Sequence, residues 1–211
     1  MVNLTCGPML TVKPTIINSM TLVMAMHNNK AIAVSADSLR IHDGVTLYDA
    51  KKLYDITSNS VILIAGRNFD SGEVNTFIND FAYIVNDKGL VNIDDIEQEF
   101  NKMLINKMVV DGPPNSTVRL VFLLAGFNDL VPKLFSFDSK YNFKNTNWDS
   151  SCLAAGKDTF AYASYREFHV SQDTNTEKLE LAAYKIMYTA SGEYPNEING
   201  NITVRILLPH T

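Results

Sequence analysis

The stretch from Thr21 to Gly66, TLVMAMHNNKAIAVSADSLRIHDGVTLYDAKKLYDITSNSVILIAG, decides the fold. TLVMAM alternates apolar with small or polar residues, Asn28-Asn29-Lys30 supplies a turn, and AIAVSAD runs back, which reads as a β-hairpin. A further extended piece spans about residues 45–56, and SVILIAG, residues 60–66, is a short apolar strand that ends on glycine. Four extended segments therefore come first.

Outward from this stretch the pattern changes to helical. Val74, Phe77, Ile78, Phe81 and Val85 recur at helix spacing, with Asp70 and Glu73 arranged as a capping pair. Ile93, Ile96, Phe100, Met103 and Leu104 make a second stripe, which Asp111-Gly112-Pro113-Pro114 ends because proline cannot continue a helix. Strands return at residues 117–126, in KLFSFD and near residues 151–155. Two more helical patterns follow, over about 158–170 and from about Thr176, where Leu179, Ala182, Ala183, Ile186 and Ala190 share one face. NITVRILL closes the chain as a strand. Strands and helices in blocks, rather than in strict alternation, predict an α+β fold with mostly antiparallel sheets and paired helices on their outer faces.

Composition narrows the function. The chain has 211 residues, long enough for one domain with a sizeable core, and no Pro/Gly/Ser-rich seam divides it. With 23 acidic against 18 basic side chains and a net charge of −5, it lacks the basic face that nucleic acid requires. No apolar run approaches the roughly 18 residues of a membrane span. The first twenty residues lack the layout of a secretory signal, so the expected location is the cytoplasm. Cys6 and Cys152 make neither a disulfide framework nor a metal cluster, and His27, His42, His169 and His210 fall in no ligand spacing. The Asn-x-Ser/Thr triplets at Asn3, Asn115 and Asn201 read as chance. No nucleotide-binding, serine-hydrolase or zinc-protease motif is present, and no cofactor or metal is expected.

Taken singly, Asp37 reads as the end of a strand, Lys51-Lys52 as a solvated pair, and Gly66 as a strand-to-helix connection. Their joint order is specific. Ser35-Ala36-Asp37-Ser38 ends the second strand with its aspartate sixteen residues after Thr21, and Lys51-Lys52 precedes the apolar strand ending Ala65-Gly66. This region resembles the opening of proteasome β subunits and of the HslV-type bacterial proteasome-like peptidase, members of the Ntn-hydrolase family. The resemblance covers residues 21–208, weakly beyond the first 46. Ser116 to Asp129, with its AGFND turn, is similar to the family's third apolar strand, and Ala155-Gly156 with FAYAS to its glycine-rich approach to the third helix.

What the resemblance implies is a four-layer αββα sandwich over residues 21–211, with residues 1–20 an N-terminal extension, a propeptide or a mis-assigned start. It implies Thr21 as nucleophile, Asp37 and Lys52 as its partners, and the Gly66 N–H as oxyanion donor. Lys52 stands one residue nearer Thr21 than is usual, as a single loop deletion would produce. A threonine hydroxyl needs an adjacent base, and the α-amine of a first-residue threonine, with a pKa of about 8, can serve. A neighbouring lysine ammonium disfavours the protonated amine and stabilises charge on the hydroxyl.

The family pattern is broken in three places. Met20 precedes Thr21 where self-cleaving members carry glycine, so exposure of Thr21 is expected more simply from translation starting at Met20, followed by methionine removal. Gly156 falls where the family has a serine. The family's Asp-x-x-Ser-Gly-Gly becomes Asn196-Glu197-Ile198-Asn199-Gly200-Asn201, leaving Gly156, Asn196 and Asn199 as altered supporting positions. The expected activity is that of a threonine-type peptidase acting on peptides or unfolded protein, in a homo-oligomeric ring, with an unfoldase as a candidate partner. A non-catalytic proteasome-like subunit and an Ntn amidase for a small amide are the alternatives. A substrate pocket is expected to draw on residues 64–69, including Arg67.

Overall fold

The computed structural model describes residues 21–42, 45–66, 72–111, 119–144, 151–167, 174–199 and 201–209. The first twenty residues, the Asp70 cap, Arg67 and the Gly112-Pro113-Pro114 stop lie outside them. The strands are β1 (Leu22–His27), β2 (Ile32–Ala36), β3 (Arg40–His42), β4 (Val45–Leu47), β5 (Leu53–Thr57) and β6 (Ser60–Gly66), then β7 (Leu120–Asn128), β8 (Val131–Asp138), β9 (Cys152–Gly156) and β10 (Thr203–Leu207). The helices are α1 (Gly72–Asp87), α2 (Ile93–Asp111), α3 (Asp158–Glu167) and α4 (Thr176–Glu193). The order along the chain is strands, two helices, strands, two helices, strand, as the blocked pattern predicts.

Two four-stranded antiparallel sheets stack on each other, one in the order β10-β2-β1-β9 and the other β5-β6-β7-β8. Strand alternation explains why this sequence needs four layers. In β6, Val61, Leu63 and Ala65 face the other sheet, while Ile62 and Ile64 face α1 and α2. In β1, Val23 and Ala25 face the other sheet, while Leu22, Met24 and Met26 face α3 and α4. Both faces of each central strand are thus apolar, and only a helix pair outside each sheet can cover the second one. On one side Phe100 is the hub of an aromatic cluster, with ring centroids 4.8 Å from Phe81, 5.3 Å from Phe122 and 5.0 Å from Phe137. On the other, small residues of α4, Ala182, Ala183 and Ala190, lie close against the sheet.

One part of the sequence reading needs correction. The single extended piece over residues 45–56 is two strands, with β3 and β4 forming a separate two-stranded ribbon. Between β4 and β5 the chain leaves the sheet: Ala50 N–H donates to Ser38 O at 3.0 Å, and Lys52 is buried with 2% of its surface exposed. Burying that ammonium against a carboxylate dictates the detour. A short 3₁₀ turn at Ser139–Tyr141, capped by the Asp138 side chain, also lay outside the periodicity argument.

Candidate active site

The registers bring one end of each sheet together. Antiparallel pairing sets Val23 opposite Ala36, Leu22 opposite Gly156 and Ala36 opposite Thr203, so the start of β1 and the ends of β2 and β9 share an edge. In the second sheet Leu53 pairs with Leu63 and Gly66 with Leu120, which puts the start of β5, the end of β6 and the start of β7 at one edge as well. Thr21 immediately precedes β1, Asp37 immediately follows β2, and Lys52 immediately precedes β5. Each is a polar residue at the first position where the strand no longer fills both faces with apolar neighbours.

The three side chains meet in one buried cluster. Thr21, Asp37 and Lys52 are 3%, 1% and 2% exposed. Thr21 Oγ1 donates to Asp37 Oδ1 at 2.6 Å, Lys52 Nζ donates to the same oxygen at 2.8 Å, and Lys52 Nζ also donates to Thr21 Oγ1. Two backbone groups fix the carboxylate: Leu22 N–H donates to Oδ1 at 3.0 Å and Leu39 N–H to Oδ2 at 3.1 Å. Lys52 is held in turn by its carbonyl, which accepts from Ile64 N–H at 2.9 Å. Burial lowers the pKa of Lys52 below the ordinary lysine value, and the charge and hydrogen bond of Asp37 oppose that shift. An ammonium in contact with a hydroxyl oxygen stabilises negative charge there, and a dry surrounding strengthens the effect.

Of the two adjacent lysines the structure brings only Lys52 into this cluster. Lys51 is exposed, with its ammonium 4.6 Å from the centre of the Tyr54 ring. Gly66 and Gly156 are both strand ends with positive φ, at 136° and 95°. Neither site has room for a side chain. A Cβ on Gly66 would lie 2.9 Å from Leu120 Cα, and one on Gly156 would lie 2.6 Å from the Thr21 carbonyl carbon. Gly156 therefore lets β9 pass directly against the backbone of Thr21. Asn196 is exposed and Asn199 half-buried, in the connection between α4 and β10.

Sequence reasoning missed the residue that contacts Thr21 from this side. Lys157 N–H donates to Thr21 O at 3.0 Å, and its ammonium lies 3.0 Å from Glu197 and 4.1 Å from the centre of the Tyr194 ring. The signal was available in part: Lys157 follows the glycine that ends β9, and Glu197 lies inside the altered motif. Their pairing, forty residues apart, is set only by the packing of α3 and α4 on one sheet. Among the described residues, no group of three or more His, Cys, Asp or Glu side chains is placed to hold a metal ion, and no helix is long and apolar enough to cross a membrane.

No protein-family model matches the sequence, and no curated protein matches it significantly. Similarity appears in three dimensions. The crystal structure of eukaryotic HslV from Trypanosoma brucei superimposes with a TM-score of 0.64 at 14% identity, over 89% of this chain and 99% of that one. The chain therefore has the fold of the HslV Ntn-hydrolase sandwich, two antiparallel sheets between two helix layers.

Proposed function

We propose that the protein is a threonine-type peptidase that hydrolyses peptide bonds through an acyl-enzyme on Thr21, once residues 1–20 have been removed. The observation that carries this reading is the buried contact of Thr21 Oγ1 with both Lys52 and Asp37 at the edge of the stacked sheets. With Thr21 as first residue, the hydroxyl turns its proton from Asp37 Oδ1 to the neutral α-amine, which takes it as Oγ1 attacks the scissile carbonyl carbon. Lys52 stabilises the charge on Oγ1, and Asp37 orients Lys52. The oxyanion accepts from the Gly66 N–H, a bond of a kind that contributes about 3–4 kcal/mol. The C–N bond then breaks, and the leaving amine takes the proton from the Thr21 ammonium. Water hydrolyses the ester by the same route: its proton goes to the amine, its hydroxyl to the acyl carbon, and Oγ1 regains its hydrogen. On this reading the protein works in the cytoplasm as a homo-oligomeric ring, with unfolded protein delivered by an unfoldase.

The test joins N-terminal sequencing of the protein from its native host with hydrolysis of short fluorogenic peptides by wild type and Thr21→Ala. The expected result is an N-terminal threonine and loss of activity in the variant. A chain that always retains residues before Thr21 would instead be a non-catalytic subunit, and equal activity in both proteins would remove the mechanism.

A further inference from the structure

The connection between α4 and β10 is fastened to the site at two places. At the first, Tyr194 caps α4 by donating its N–H to Ala190 O at 2.9 Å, and its carbonyl accepts from Glu197 N–H at 2.9 Å and Ile198 N–H at 2.8 Å. Ile198 is fully buried, and the Tyr194 ring meets Phe160 edge-on with centroids 5.7 Å apart. This rigid turn presents Glu197 to the Lys157 ammonium at 3.0 Å. The carboxylate oxygen concerned is shielded from water and has an ionic rather than a directed hydrogen-bonding contact. At the second place, Asn201 N–H donates to Ser38 Oγ at 2.9 Å, and Ser38 Oγ donates to Tyr48 O at 3.0 Å. Ser38 adjoins Asp37, and Tyr48 opens the detour that leads to Lys52.

Lys157 is the residue through which this connection reaches Thr21. Its N–H holds the Thr21 carbonyl, and the absence of a side chain at Gly156 brings the two backbones together. The ammonium extends the other way, onto Glu197 and the Tyr194 ring.

We propose that Lys157 and Glu197 are a positioning pair for Thr21, holding its backbone so that Oγ1 keeps its place against Lys52 and Asp37. This rests on Thr21 being the nucleophile. Neither residue touches the reacting atoms. An ion pair that is 20% and 33% exposed is a weak contact, so it biases Thr21 toward its productive position by no more than about fivefold in rate.

The experiment measures kcat and KM per folded molecule on a fluorogenic peptide, in protein whose N-terminus is Thr21 by sequencing. It compares wild type, Thr21→Ala, Lys157→Met, Lys157→Arg and Glu197→Gln, with the Tm of each. Lys157→Met and Glu197→Gln are expected to lower kcat by about 3- to 5-fold. KM should stay within about twofold and Tm within a few degrees, since the pair contributes to position rather than to stability. Lys157→Arg, which keeps the charge and the ring contact, should retain kcat within about 1.5-fold. Single variants with wild-type kcat beside an inactive Thr21→Ala would remove the positioning role and leave the nucleophile in place. Loss of activity in Lys157→Arg equal to that in Lys157→Met would likewise overturn it. An active Thr21→Ala would instead remove the nucleophile itself.

Discussion

Replacing Gly156 with alanine tests the geometry on which the site depends. The φ of 95° at this position is one that L-residues rarely adopt, and forcing a Cβ there costs about 1–3 kcal/mol. The new Cβ would start 2.6 Å from the Thr21 carbonyl carbon. Carbon atoms pack at about 3.5 Å or more, and the Thr21 carbonyl oxygen lies nearer still to the new Cβ, so Thr21 and β9 must separate by more than about 1 Å. That separation breaks the 3.0 Å hydrogen bond from Lys157 N–H to Thr21 O, a net loss of about 1 kcal/mol. The sum is about 2–4 kcal/mol. Urea unfolding should show a lower midpoint at unchanged slope. The same shift moves Oγ1, so peptide hydrolysis should fall by up to about 100-fold. Gly72→Ala is the control, since nothing lies within 4 Å of its added Cβ and its cost should be within about 0.5 kcal/mol. A Gly156→Ala protein that matches wild type in both midpoint and rate would mean that β9 does not set the place of Thr21.

The remaining predictions concern charge. Lys52→Met leaves Asp37 buried without its counter-charge and should destabilise the fold by about 3–5 kcal/mol; pairing it with Asp37→Asn should recover part of that loss in the same unfolding assay. Peptide hydrolysis should rise with pH as the Thr21 amine loses its proton, below its usual value of about 8 because the Lys52 ammonium disfavours the protonated form. The rate should fall again as Lys52 loses its own proton, and because burial lowers that pKa, the falling limb must begin below 10.5. A rate that holds its plateau past that pH, in protein still folded by circular dichroism, contradicts the role of the Lys52 charge. Burial pushes the Cys152 thiol up to about 12. Residue-resolved mass spectrometry should therefore find Cys152 unalkylated by iodoacetamide at pH 8 in the native protein and labelled in urea.

The layers were legible because apolar alternation is strong where both strand faces are covered. SVILIAG, a short apolar run ending on glycine, fits a strand, and the stripe from Val74 to Val85 fits a helix laid on one face. The ribbon of β3 and β4 was not legible, since RIH and VTL are too short to show a period and Val45 is 58% exposed. Of the candidate site, the Thr21 to Asp37 spacing carried most information: a hairpin of fixed register returns the chain to the same edge, and five consecutive Cα pairs from Val23–Ala36 to His27–Ile32 do so here. Lys157 and Glu197 offered no comparable signal. Their contact joins the end of one strand to the turn after a helix, and the distance between such points depends on how two helices pack rather than on any repeat along the chain.

The register of β5 on β6 sets where a one-residue change before Lys52 is absorbed. The carbonyl of Lys52 accepts from Ile64 N–H, and Leu53 pairs with Leu63, so the register of β5 on β6 is fixed from Lys52 onward. A deletion after Lys52 would slide β5 by one residue and turn Tyr54 and Ile56, both buried against the helices, toward the opposite face. A deletion between Asp37 and Lys52 falls in the ribbon and the detour, where Val45, Thr46, Tyr48 and Asp49 are exposed and the cost is that of a slightly shorter surface loop. A change of length before Lys52 therefore leaves its side chain in the same place. Its place is set by the Asp37 carboxylate on one side and the Ile64 N–H on the other.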